Sequence, residues 1–341
     1  MNTKVKGCDA ESLKEAAQLI REGQLVAFPT ETVYGLGGNG FDREAALAIF
    51  AAKRRPADNP LIEHIASWDM LDKLVTHVPE KAKAAMEAFW PGPFTCVLPA
   101  ADQVPRTVTA GLDTVAVRWP DHPVAQQLIA EAGVPIAAPS ANASGRPSPT
   151  CAQDVFEDME DRIPMILDGG PCRVGVESTV VSFLEEIPMI LRPGGVTWEE
   201  LTALLGEVKI HQSALAALEN AEAAPSPGMK HKHYAPKAKV TVVRGENAAQ
   251  AMLRAYDGKR AEGAKPWLLV SEKSSALCGA RHALCYGKGG EDLAANLFHS
   301  LRLLDARGAS HIYCEAVDTE GIGLAAMNRL LRAAEFDIID L

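Results

Sequence analysis

Two stretches of the chain concentrate residues able to bind and react. Pro29-Thr30-Glu31-Thr32-Val33-Tyr34-Gly35-Leu36-Gly37 follows directly on the apolar run Leu25 to Phe28. Hydroxyls and a glycine turn at the end of a short strand stand where an open α/β sheet presents its ligand. About one helix later comes Lys53-Arg54-Arg55-Pro56-Ala57-Asp58-Asn59-Pro60-Leu61. Its prolines hold the backbone extended, so three adjacent cations can converge on a polyphosphate. A basic run can also be no more than a helix C-terminus complementing its dipole. The first motif, flanking the same helix, tips the balance toward phosphate.

A third cluster, Ala138-Pro139-Ser140-Ala141-Asn142-Ala143-Ser144-Gly145-Arg146-Pro147-Ser148, again follows an apolar strand. Small hydroxyl and amide side chains beside a glycine allow close backbone approach and offer neutral hydrogen bonds. Most such clusters are ordinary turns, and it is the position at a strand end that singles this one out. Arg118 ends the strand TVAVR, Ser178 begins STVVSF, and Arg192 ends PMILR ahead of Pro193-Gly194-Gly195. A strand-end arginine is as often a solvated boundary charge, yet the three together can line one crevice.

Other chemistries fail on inspection. Gly170 and Gly175 have P-loop spacing, but Val176-Glu177 stands where Lys and a hydroxyl are needed. Gly321-Ile322-Gly323-Leu324-Ala325-Ala326 resembles a dinucleotide fingerprint, but too little chain follows for a strand bearing a ribose-binding acid. His231 and His233 are too few for a metal site, and no G-x-S-x-G elbow supports a hydrolase. Seven scattered cysteines without a CxxC pair argue against a disulfide framework or zinc knuckle and fit a reducing cytosol.

Alternating helix and strand signals must position these groups. Leu13, Ala16, Ala17 and Ile20 repeat at helical spacing behind Ser12 and Glu15, read as a capping box. Helices are expected at 43–52, after Pro79 and from about 123, with strands at 25–28, 94–98, 114–118 and 134–138. Thr197 and Glu200 cap a last short helix ending at Gly206. Between about 212 and 237 the chain turns Ala, Glu, Pro and Ser rich and then reads PSPGMKHKHYAPKAK, a tether rather than a packed element. Beyond them VTVV, WLLV, ALCY and HIYCEAV read as buried strands of a smaller Rossmann-like α/β domain. The expected organisation is therefore a domain over 1–206, a linker or lid over 207–237, and a second domain over 238–341.

The 341 residues carry 34 Lys plus Arg against 44 Asp plus Glu, a formal charge of -10. The molecule as a whole should repel nucleic-acid backbones, so any phosphate site must be built locally. No signal-type stretch opens the sequence and no apolar run approaches a membrane span. A cytoplasmic protein without membrane contact is expected.

In this order the motifs resemble the YrdC-like threonylcarbamoyl-AMP synthases. PTETVYGLG, the Lys53 to Leu61 loop, PSAN-x-SG-x-PSPT, ESTVV and LRPG carry the likeness, and the HYAP of the linker points to the long, two-domain form. The resemblance implies an N-terminal YrdC-like twisted, open mixed sheet with helices, followed by the smaller α/β domain. It implies that Thr32, His64, Thr114, Arg118, Ala138 and Ser178 surround L-threonine, with Arg118 on the carboxylate. ATP would be held by Arg55, Asn59, Ser140, Asn142, Ser148 and Arg192, with Tyr234 of the linker closing over it, Lys53 and Arg55 in catalytic roles, and Mg2+ accompanying the phosphates. Bicarbonate would be the third substrate, and a tRNA threonylcarbamoyltransferase the downstream partner. A double-stranded-RNA-binding protein, with at most weak RNA contact at this charge, and a carbamoyltransferase-like enzyme are the rival readings. Two positions depart from the family pattern: Arg54, where relatives often have glycine, and Glu63, where they usually have an apolar residue.

Overall fold

The computed structural model describes residues 2–214 and 234–341. The chain divides into two compact units, 1–144 with 148–211, and 145–147 with 212–341. Most of the proposed tether, including His231 and His233, lies outside the described residues.

The first unit is built on an 11-stranded mixed sheet in the order β1-β8-β2-β3-β7-β4-β6-β5-β9-β10-β11. Its strands are β1 (Lys4–Lys6), β2 (Val26–Phe28), β3 (Gly35–Asn39), β4 (Ile62–His64), β5 (Phe94–Pro99), β6 (Thr114–Arg118), β7 (Ile136–Ala137), β8 (Met165–Leu167), β9 (Thr179–Ser182), β10 (Met189–Arg192) and β11 (Lys209–Ile210). The helices are α1 (Ala10–Arg21), α2 (Arg43–Lys53), α3 (Trp68–Leu74), α4 (Glu80–Phe89), α5 (Pro123–Ala132), α6 (Ala152–Met159) and α7 (Trp198–Leu205). Strand alternation sends neighbouring side chains to opposite faces. Val26 and Phe28 join α1 and α5 in one apolar cluster, while Ala27, between them, belongs to the larger cluster with Leu36, Ile49 and Val117.

Three local expectations need correction. The N-cap of α1 is Asp9, whose carboxylate accepts from the amides of Glu11 and Ser12, so Ser12 and Glu15 form no capping box. By contrast, Thr197 and Glu200 do cap α7 reciprocally. The glycines after Tyr34 do not make a turn; they form β3, which pairs antiparallel with β2 and β7. Glycine is required there by packing, since a Cβ on Gly37 would meet Ile136 at 2.6 Å and the Phe28 ring at 2.7 Å. The first unit also continues past 206, because β11 pairs with β10.

The second unit holds a sheet in the order β14-β13-β15-β12-β16, parallel throughout. Its strands are β12 (Lys239–Arg244), β13 (Pro266–Ser271), β14 (Ala283–Gly287), β15 (His311–Glu315) and β16 (Ile338–Asp340). The helices here are α8 (Ala248–Ala261), α9 (Glu272–Ser275), α10 (Gly290–Ala306) and α11 (Gly323–Ala333). Val243, Leu268, Val270 and Tyr313 pack with Met252 and Tyr256 of α8. Residues alternating with these, such as Val242, Leu269 and Cys314, are fully buried on the other face.

Candidate active site

The three adjacent cations do not converge. Lys53 closes α2 and is buried, and its ammonium donates to the carbonyls of Ser140 and Asn142, the latter at 2.7 Å. It thereby holds the 140–144 loop, whose Ser144 amide returns a bond to the Lys53 carbonyl at 3.0 Å. Arg54 is exposed and sits at the helix C-cap in the left-handed region, φ 54° and ψ 45°. Glycine suits that conformation best, which gives the family's preference at this position a backbone cause. Arg55 is half-buried and Asn59 exposed.

The 138–150 loop is fixed along its length by backbone and carboxylate partners. Leu36 and Tyr34 amides bond the carbonyls of Pro139 and Pro149 at 2.8 and 2.9 Å, and the Ala141 amide bonds the Tyr34 carbonyl at 2.8 Å. From α6, the buried carboxylates of Asp158 and Asp154 accept from the amides of Ala143, at 3.0 Å, and Thr150, at 3.3 Å. Ser140 Oγ donates to Asn142 Oδ1 at 2.5 Å, and Ser148 Oγ to Glu177 Oε1 at 2.7 Å. Glycine-sized backbone is needed alongside: a Cβ on Gly194 would lie 2.2 Å from the Thr179 nitrogen.

Across the sheet, polar side chains form a continuous line. Register sets His64 of β4 opposite Arg118 of β6, and Arg118 opposite Thr95 of β5. Thr95 Oγ1 lies 2.7 Å from Ser178 Oγ, to which Arg192 donates from Nη2 at 3.1 Å. His64 Nδ1 faces the carbonyls of Ile62 at 3.1 Å and Ile136 at 3.3 Å. Both are acceptors, so the proton resides on Nδ1 and Nε2 is left as an acceptor. Burial, reinforced by the Arg118 charge, pushes the imidazole down to about 3 against the two carbonyl bonds, so the ring is neutral.

Arg118 is buried and held from two directions. Its Nε donates to the Gly92 carbonyl at 3.3 Å, and its Nη2 lies 2.7 Å from Oε1 of the equally buried Glu31. That ion pair is close but badly aligned: among the described residues, neither Glu31 oxygen nor Arg118 Nη2 makes a directed hydrogen bond. Thr32, fully buried, shares a 2.9 Å hydroxyl contact with Thr30. Ala138 is buried, its amide bonded to the Ile62 carbonyl at 2.9 Å, and it touches the Gly35 position.

The sequence-derived set is therefore assembled in part. Lys53, Ser140 and Asn142 meet, and His64, Arg118, Ser178 and Arg192 are contiguous through Thr95. Thr114 opens β6 opposite Pro99, four residues and about 13 Å of strand from Arg118. Tyr234 belongs to the second unit, where its ring stacks on Phe298 at 5.1 Å and 28°. Sequence reasoning assigned no role to Glu31, Thr95 or Glu177. Glu31 stood inside a quoted motif, and its burial was the missing signal.

A twisted mixed-sheet domain carrying this polar line, followed by a parallel α/β domain, defines a two-domain YrdC-like architecture. A family model described as "Telomere recombination" matches residues 18–194, and one described as "Threonylcarbamoyl-AMP synthase, C-terminal domain" matches 196–335. The chain belongs to the threonylcarbamoyl-AMP synthase family. It is 48% identical over 328 residues to the threonylcarbamoyl-AMP synthase of Pyrococcus abyssi, covering 96% of this chain and 95% of that one. It is 45% identical to the Bacillus subtilis protein of the same name, covering 94% and 92%. Among solved structures, P. abyssi Sua5 complexed with L-threonine superposes with a TM-score of 0.91 at 45% identity, covering 100% of this chain and 99% of that one.

Proposed function

We propose that the protein condenses ATP, L-threonine and bicarbonate to L-threonylcarbamoyladenylate and diphosphate, the activated precursor of threonylcarbamoyladenosine in tRNA. The observation that carries the reading is Arg118: a buried guanidinium, fixed by Gly92 and Glu31, beside a neutral histidine. The likeness to relatives of that name over nearly the whole chain supports it.

Arg118 receives the threonine carboxylate, with His64 Nε2, Thr32, Thr114, Ala138 and Ser178 around the rest of the molecule. Threonine's amine captures carbon from bicarbonate with loss of water, and an oxygen of the resulting carbamate attacks the α-phosphorus and expels diphosphate. Every reacting species after the first step is anionic, so positioned cations and amides do more than a nucleophile could. Arg55, Asn59, Ser140, Asn142, Ser148 and Arg192 hold ATP, which enters as its Mg2+ complex. Lys53 acts through the 140–144 loop, whose carbonyls it binds. No helix among the described residues is long and apolar enough to cross a membrane. A cytoplasmic setting belongs to the same proposal, as does a threonylcarbamoyltransferase consuming the labile adenylate.

The test is diphosphate release from ATP and Mg2+, with and without L-threonine and bicarbonate. Release should require both and fall at least 100-fold in Arg55→Ala and Arg118→Ala, as loss of a charge-assisted contact implies. ATP left intact under every condition would overturn the reading.

A further inference from the structure

Resting on the threonine reading above, we propose that Glu31 is a specificity-determining contact for the substrate's α-ammonium group. Glu31 and Arg118 are both buried and lie 2.7 Å apart, yet among the described residues both Glu31 oxygens and Arg118 Nη2 lack a directed hydrogen bond. Buried charges without such bonds are costly. A ligand that supplied the missing partners would relieve that cost.

The identity of the ligand follows from the pair itself. Arg118 keeps donors free of Gly92 and Glu31 and suits a carboxylate, while Glu31 can only accept. An acceptor beside a donor fork matches a zwitterion, and in an α-amino acid both charges hang on one carbon, so their partners must be neighbours. Other groups nearby do not compete for the role. His64 is neutral, and burial pushes the Cys172 thiol up and the His122 imidazole down, leaving both uncharged at neutral pH.

Backbone bonds hold the segment that carries the carboxylate. The Glu31 carbonyl accepts from the Val174 amide at 2.7 Å, and the Thr32 carbonyl from Gly175 at 3.2 Å. Thr30 Oγ1 caps the turn, donating to the Val33 carbonyl at 2.6 Å and accepting from the Thr32 and Val33 amides at 3.2 Å. A uniformly anionic acid of the same shape, with hydroxyl in place of ammonium, could donate one O–H to Glu31 but would bring no positive charge to it, so the ionic part of the contact is lost.

Calorimetry on the full-length protein tests this with L-threonine and with 2,3-dihydroxybutanoate, its hydroxy-acid counterpart. Wild-type protein should prefer threonine by roughly 10- to 100-fold, the range of a charge-assisted hydrogen bond. In Glu31→Gln threonine should weaken by a similar factor and the hydroxy acid should not, so discrimination collapses; in turnover the effect should fall on the KM for threonine rather than on kcat. Equal weakening of both ligands would overturn the proposal, leaving Glu31 as a brace for Arg118. Should Glu31→Gln fail to fold, the wild-type comparison alone decides, since a hydroxy acid binding as tightly as threonine also overturns it. If wild-type protein binds neither ligand, the threonine reading itself has failed.

Discussion

Glu63 should make the folded protein less stable as pH rises, and its amide should remove the effect. The side chain is fully buried on β4 between β6 and β7, with neither carboxylate oxygen hydrogen-bonded among the described residues. It presses so closely on Gly40 that a Cβ there would lie 2.1 Å from Oε2. Burial pushes its pKa up from 4.5 to about 8. The unfolded chain releases this proton above pH 4.5 while the folded chain keeps it until about pH 8, so folding takes up a proton throughout that window. Stability from this group is complete below pH 4.5 and is lost as pH climbs to 8, at up to about 1.4 kcal/mol per pH unit. By pH 7 the loss is about 3 kcal/mol. Glu63→Gln, close in shape and always neutral, should therefore match wild type near pH 4.5 and exceed it by about 3 kcal/mol at pH 7. Urea unfolding followed by tryptophan fluorescence at several pH values reads the difference. A gap between variant and wild type that stays constant from pH 5 to 8 would refute a protonated Glu63.

The neighbouring His64 should show the opposite slope: held neutral to about 3, it costs stability as pH falls from 6.5, and its 15N NMR signals should remain those of a neutral, Nδ1-protonated ring at pH 5. Arg54→Gly should raise stability by about 1 kcal/mol in the same unfolding assay, because the left-handed C-cap at φ 54° penalises a side chain. Gly194→Ala should cost at least about 3 kcal/mol, since its Cβ would strike the Thr179 nitrogen and the Ser178 carbonyl carbon at 2.2 and 2.3 Å, backbone that cannot swing aside. Its soluble yield and melting temperature would show this directly.

Much of the architecture was legible along the chain because its signals are local. The helical period of Leu13, Ala16, Ala17 and Ile20 marks α1 regardless of its neighbours, and the Thr197/Glu200 cap needs only four residues. Four of the five strands of the second unit announced themselves as largely apolar runs; β12, β13 and β15 do so as interior parallel strands, and β14 does so although it lies at an edge and is mostly not buried. β16 did not, being three residues at the sheet edge. β3 was misread for a different reason: its glycines look like a turn until Phe28 of the paired strand and Ile136, itself distant in sequence, are seen to fill the space their side chains would need.

The sequence by itself determined which groups are available: Lys53, the Ser140 to Ser148 loop, and arginines at strand ends, in an order specific enough to indicate the family. Only the tertiary structure decided their duties. Lys53 turned inward to hold a loop because the 140–144 carbonyls lie within its reach. Glu31 and Glu63 are the same residue type, yet one faces a guanidinium at 2.7 Å and the other is buried against Gly40 with no charged partner shifting it. A carboxylate's charge is set by the field and solvent around it, and those are properties of packed neighbours that no stretch of chain contains.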